Sequence, residues 1–239
     1  MSLLQLLPPA TRRAAKRWIG IERHYEPQVC LPREMHGSED GVWCIHPTGI
    51  GAKSIVYSFG IGTDISFDAS LIDTYGLTVH AFDPTPKSLA WLATQAVPAE
   101  LRVIPCGLAD YDGTARFNPP IDAKHVSHTM LDRPATAASA IEVPVRRLET
   151  IMNDLGHDEI DLLKMDIEGA EYDVLDDMIQ SHILPRQLLV EFHHRFPGVG
   201  MRRTQQAITQ LNRAGYRLFH VSQSQMEFSF LRMDEELLR

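Results

Sequence analysis

From Lys53 onward, short apolar runs alternate with longer segments whose apolar positions recur every three to four residues. Runs this short, apolar without polar alternation, predict strands buried on both faces. Their alternation with helical segments predicts a parallel sheet with crossover helices. The first run, SIVYSFG, ends in Gly60, Ile61 and Gly62 and leads into a segment with Ile65, Ala69, Ile72 and Tyr75 at helical spacing, stopped by Gly76. The second, LTVHAFD, ends at Asp83. Thr85 and Pro86 then stand where an N-cap and a first helical residue belong, ahead of Leu89, Leu92, Ala93 and Ala96. LRVIPCG, IDLLKMD and RQLLVEF supply the third to fifth strands, and further helices are predicted from about Gly169 and from Thr204 to Ala214.

The last two runs, YRLFHVS and MEFSFLR, are joined only by a tight polar link from Gln223 to Gln225, which allows an antiparallel hairpin and no crossover. The predicted fold class is therefore α/β: a Rossmann-like sheet of five parallel strands plus a C-terminal antiparallel hairpin, with helices on both faces. TARF and IEVPVRRL add strand-like runs within residues 112–146, predicting an inserted hairpin at the rim. Residues 1–52 read as an N-terminal extension that covers the site, and 53–239 as the main domain. The extension combines a short basic amphipathic helix, Thr11 to Ile19, with a Pro- and Gly-rich stretch holding one strand near Val42 to Ile45.

Composition narrows the partners. A chain of 239 residues with 44% hydrophobic content can fill one large core, and a net charge of −8 leaves no basic surface for nucleic acid. Cys30, Cys44 and Cys106 form no CxxC pair, which fits a reducing cytoplasm. No apolar stretch reaches membrane-spanning length, and residues 1–20 place their apolar part before Arg12, Arg13, Lys16 and Arg17, the wrong order for an export signal. That basic segment suits peripheral contact with an acidic membrane, or packing on the domain or on another subunit of a homo-oligomer.

Ligands of open α/β sheets bind beyond the carboxyl ends of the strands. There, Gly60 and Gly62 let the backbone approach a ligand, and Asp83 can accept hydrogen bonds from ribose hydroxyls. Asp110 follows the third strand and either accepts from an adenine amino group or starts a turn with Asp112 and Gly113. In DLLKMDIEGAEYDVL, Asp166 closes the fourth strand; Asp166 and Glu168 are assigned to the site, Glu171 to the helix start, where the dipole favours anions, and Asp173, Asp176 and Asp177 to solvent. The fifth strand ends in Glu191, Phe192, His193 and His194.

LLKMDIEGAEYDVL, HAFDPTPKSL, LADYDGTARF, VPVRRLETI and LVEFHH together resemble the FkbM-type family of class I methyltransferases, over roughly residues 54–221. The resemblance implies S-adenosylmethionine as methyl donor, S-adenosylhomocysteine as product, and a hydroxyl oxygen of a sugar, glycolipid or natural product as acceptor. The chain departs from the wider pattern by carrying Ser58 two residues before the first glycine, where an acid is common, and Asp64 at the third glycine; Asp64 or Asp68 would supply the lost carboxylate. Alcohol methylation also needs a proton acceptor. His193 is the expected base, with Glu191 or Asp166 orienting it or the acceptor, and His128 of the inserted segment is the rival. Asp166, Glu168 and Glu191 could hold magnesium, although no metal is expected to be required. Two other functions stay open: an NAD(P)-dependent oxidoreductase, which lacks a Tyr-x-x-x-Lys pair here, and a non-catalytic cofactor- or partner-binding descendant.

Overall fold

The computed structural model describes residues 11, 23–39, 41–119, 129–131 and 135–233. The expected basic helix, apart from Thr11, and His128 lie outside them. A small antiparallel pair, β1 (Glu34–His36) and β2 (Trp43–Ile45), precedes the main sheet. β2 is the strand expected near Val42; β1 gave no signal, because EMH is too short and too polar to read as one.

The main sheet begins with β3 (Ile55–Phe59), α1 (Ser66–Tyr75), β4 (Thr78–Phe82), α2 (Pro86–Leu92) and β5 (Leu101–Ile104). β6 (Gly107–Leu108), β7 (Gly113–Phe117) and β8 (Ile141–Arg146) then form a separate three-stranded sheet in the order β6-β8-β7. The antiparallel pair β7–β8 is the inserted hairpin, and β6 extends it in parallel. The chain returns through α3 (Leu148–Leu155), β9 (Leu162–Met165), α4 (Glu171–Gln180), β10 (Gln187–Glu191) and α5 (Met201–Arg213), and ends in β11 (Tyr216–Val221) and β12 (Glu227–Arg232).

The order across the sheet is β11-β12-β10-β9-β3-β4-β5. The pairs from β10 through β5 are parallel, whereas β12 is antiparallel to both β10 and β11. The hairpin thus folds back so that its second strand, not its first, joins the parallel set. β11 consequently runs in the same direction as the five central strands.

Strand alternation divides the core in two. Tyr57, Phe59, Leu163, Met165, Leu188 and Val190 face α3, α4 and α5. Val56, Val79, Ala81, Leu162 and Leu189 face α1, α2 and β2. On the first face Phe59 and Phe82 stack at 4.2 Å between ring centroids. Burying each such side chain stabilises the fold by about 1.5–3 kcal/mol. The second face is not wholly apolar: the buried pair Ser58 and Lys164 sits directly opposed across β3 and β9. α1 buries Phe67, Asp68, Leu71 and Ile72, and Ile65 and Tyr75 of the expected stripe pack against the same core. Its stop at Gly76 is left-handed, at φ 65°, as the sequence signal required.

Candidate active site

A cavity of about 280 Å³ opens at the carboxyl ends of β3, β4, β9 and β10. Gly60 and Gly62 form its floor, both with positive φ (75° and 53°). At Gly60 the requirement is absolute, since a Cβ there would lie 1.7 Å from the Asp166 carbonyl oxygen. The glycine brings the β3 and β9 strand ends together.

Asp83 lines the wall and is already engaged. Gly62 N donates to its Oδ2 at 2.9 Å, while Thr85 N and Thr85 Oγ1 donate to Oδ1 at 2.9 and 2.6 Å. A carboxylate offers about four acceptor positions, so one remains for a ligand hydroxyl. Thr85 is the N-cap of α2, but its hydroxyl serves Asp83 and approaches Ser88 Oγ at 2.8 Å instead of capping the helix. Pro84, Gly107, Leu108 and Phe117 continue this wall. Asp110 stays outside it: the residue is solvent-exposed, and Gly107 and Leu108 stand where it was expected to reach.

Opposite lies a buried cation. Lys164 Nζ donates to the carbonyls of Phe59 (3.3 Å) and Gly60 (3.1 Å) and lies 5.3 Å from the Trp43 ring centroid. Among the described residues no carboxylate comes within ion-pair distance of it. Asp68, fully buried nearby, is pushed up to about 6 by burial against the pull of Lys164. Asp64 accepts hydrogen bonds from Ser38 Oγ (2.7 Å) and Ser66 N (2.8 Å). Burial raises its pKa, but those bonds and Lys164 outweigh burial and hold the carboxyl below its ordinary value. Asp64 therefore ties Ser38 to the first residue of α1 beside the cavity. Lys164 escaped the sequence reading, yet a lysine inside the run DLLKMD, in a strand buried on both faces, is itself the signal.

The acid block resolves at the turn between β9 and α4. Glu168 and Gly169 both take positive φ (54° and 104°), with Thr129 Oγ1 donating to the Glu168 carbonyl. A non-glycine residue in this region carries strain, on the order of 1 kcal/mol. The turn aims Glu171 back into the protein, where it is fully buried and accepts from Gly169 N and His193 N, each at 2.8 Å. Glu171 is thus a buried anchor, not only a helix-start acid. Its Oε1 stands 3.3 Å from His193 Nδ1.

His193 lies beyond the end of β10, buried behind the cavity wall formed by Asp166, Glu168 and Glu191. Its Nε2 is 3.6 Å from Glu168 Oε2, 3.7 Å from Asp166 Oδ1 and 3.9 Å from Glu191 Oε1. Burial opposes a charge on the ring, but Glu171, Glu168 and Asp166 prevail and push His193 up to about 10. Glu191 is pushed up to about 9, by burial and by the Asp166 carboxylate beside it. The ring thus sits behind the wall with Glu171 beside one nitrogen and Asp166, Glu168 and Glu191 facing the other. His194 is buried as well. Glu227 of β12, which the sequence did not single out, completes the lining.

Residues 50–218 match the family model described as "Methyltransferase FkbM domain". Among curated proteins, the chain is 30% identical over 176 residues to a Rattus norvegicus protein described as "Probable methyltransferase-like protein 24", and 30% identical over 182 residues to its Homo sapiens counterpart. Each match covers 69% of this chain and 42% of the relative, so the chain spans about two fifths of their length. Among solved structures, a methyltransferase FkbM from Methylobacillus flagellatus KT aligns with a TM-score of 0.48 at 18% identity, over 76% of this chain and 44% of that one.

Proposed function

Because the chain belongs to the FkbM methyltransferase family, we propose that it transfers the methyl group of S-adenosylmethionine to a hydroxyl oxygen of a polar acceptor, such as a saccharide or natural product. The observation that carries this reading is the pairing of two walls in one cavity. One wall, with Asp83, Pro84, Thr85, Leu108 and Phe117, suits a nucleoside; the other, with Lys164 between Gly60 and Trp43, offers a buried ammonium to a carboxylate. Among the described residues Lys164 makes no direct ion pair and donates only to backbone carbonyls, so its ammonium suits an amino-acid carboxylate. The donor supplies an electrophilic methyl group on sulfur.

The chain's own residues do the remainder. Gly60 and Gly62 allow the ligand to lie against the backbone, and the remaining acceptor position of Asp83 receives a ribose hydroxyl. Asp64 and Asp68 supply negative charge close to Lys164, where a ligand ammonium would balance them. At the far end Asp166 and Glu191 face the acceptor. Their ionised oxygen binds the acceptor hydroxyl and takes its proton as the oxygen–carbon bond forms and the carbon–sulfur bond breaks, its electron pair leaving with S-adenosylhomocysteine. His193 holds these carboxylates in place from behind.

Calorimetry with S-adenosylmethionine and with NAD tests the donor, and saturable binding of the first alone is expected. Labelled S-adenosylmethionine incubated with an extract of the source cells would then reveal the acceptor. Binding of NAD without S-adenosylmethionine would overturn the reading.

A further inference from the structure

Asp166 and Glu191 in the cavity wall, with His193 directly behind them, have the composition and spacing of a cation site. One ligand atom from each of Asp166, Glu191 and His193 lies within 4.8 Å of the others. A cation about 2.1 Å from each donor needs donor separations of about 3–3.5 Å. The observed 3.7 and 3.9 Å from the imidazole to the two carboxylates close to that by small side-chain rotations.

Acidic side chains alone would not make a site. A buried, unpartnered carboxylate oxygen and a buried imidazole beside it set this one apart. Asp166 Oδ1 is buried and has no hydrogen-bond partner among the described residues. His193, 3% exposed, turns Nε2 toward the same carboxylates at 3.6–3.9 Å, while its unpartnered buried atom is Nδ1 on the Glu171 side. Behind the ring, fully buried Glu171 stands 3.3 Å from Nδ1 and is fixed by the backbone amides of Gly169 and His193. A carboxylate behind a histidine fixes the ring and its tautomer for coordination through the other nitrogen.

We propose that Asp166, Glu191 and His193 bind one divalent cation at the cavity wall. Two carboxylates and one imidazole make a mixed oxygen and nitrogen donor set. Such a set favours a first-row transition ion, Mn²⁺ or Zn²⁺, over Ca²⁺. Three protein ligands leave positions open toward the cavity. If the methyl-transfer reading holds, those positions face the acceptor oxygen.

The test uses the full chain, stripped with chelator and free of S-adenosylmethionine and acceptor, so its outcome is independent of that reading. Titration with Mn²⁺, followed by loss of the free-ion electron paramagnetic resonance signal, should give one saturable site. Asp166→Asn and His193→Gln should each weaken it at least about tenfold, while Asp154→Asn, an exposed acid paired with Arg146, should leave it unchanged. Pulsed resonance on the Mn²⁺-loaded wild type should show coupling to an imidazole nitrogen, a readout that needs no variant to fold. Absence of saturable Mn²⁺ and Zn²⁺ binding at millimolar concentration, or a bound Mn²⁺ without nitrogen coupling, would overturn the proposal, leaving His193 a buried counter-ion only.

Discussion

Glu171 and His193 are joined twice: the carboxylate accepts the histidine's backbone amide at 2.8 Å and stands 3.3 Å from its ring. α4 and the end of β10 are therefore fastened by one side chain that never reaches solvent. Glu171→Ala would leave the amides of Gly169 and His193 unpaired and a buried imidazole without its main counter-charge. The expected cost is about 2–5 kcal/mol of stability in urea denaturation. A loss under about 1 kcal/mol would show that Glu171 is only a helix-start acid.

Lys164→Met keeps the length and apolar stem of the side chain and removes the ammonium. S-adenosylmethionine affinity should fall about 10- to 100-fold in calorimetry, the equivalent of one charged hydrogen bond, with the melting temperature little changed. Unaltered affinity would place the donor's carboxylate elsewhere.

Gly60→Ala introduces a Cβ against the Asp166 carbonyl at a residue with φ 75°. The β3 and β9 ends must separate to admit it. Donor binding should drop by more than about tenfold, and the variant should melt at lower temperature. Gly198→Ala, also at positive φ (86°) but with open space around the added carbon, should show backbone strain without loss of binding.

His80 gives the fold a pH dependence of known sign. Burial first, then His157 and Arg102, push its pKa down to about 4. An unfolded imidazole titrates near about 6.5, so between these values the unfolded chain binds the extra proton. The contribution of neutral His80 is complete above about pH 6.5 and is lost as pH falls toward 4, on the order of 3 kcal/mol in all. Urea midpoints at pH 7.5, 6 and 5 should decline more steeply for wild type than for His80→Phe; parallel slopes would rule His80 out as the cause.

The sheet was legible because its central strands are unbroken apolar runs, and both Gly76 and the short link after Val221 dictate local geometry. The acid block was less so. In sequence Glu168 and Glu171 are both acids at a helix start; what separates them is the left-handed Glu168–Gly169 turn, which no periodicity encodes. His193 could be picked out by its place at a strand end, but its character depends on three carboxylates converging from β9 and α4. For Asp110 the sequence leaves two readings open, since a strand-end acid looks the same whether it turns inward or, as here, lies exposed. Lys164 was passed over because strand patterning weighs apolar neighbours, and its partners are backbone carbonyls and a tryptophan from β2.

β12 lies between β10 and β11 although it follows both in the chain. During synthesis β10 and β11 leave the ribosome before the strand that pairs with each of them exists. Until residues 227–232 arrive, one edge of β10 is without its partner, and the cavity lacks the wall at Glu227. Closing the sheet and completing the binding surface are thus a single late event, and a nascent chain stalled before Glu227 would present a sticky strand edge in place of a site.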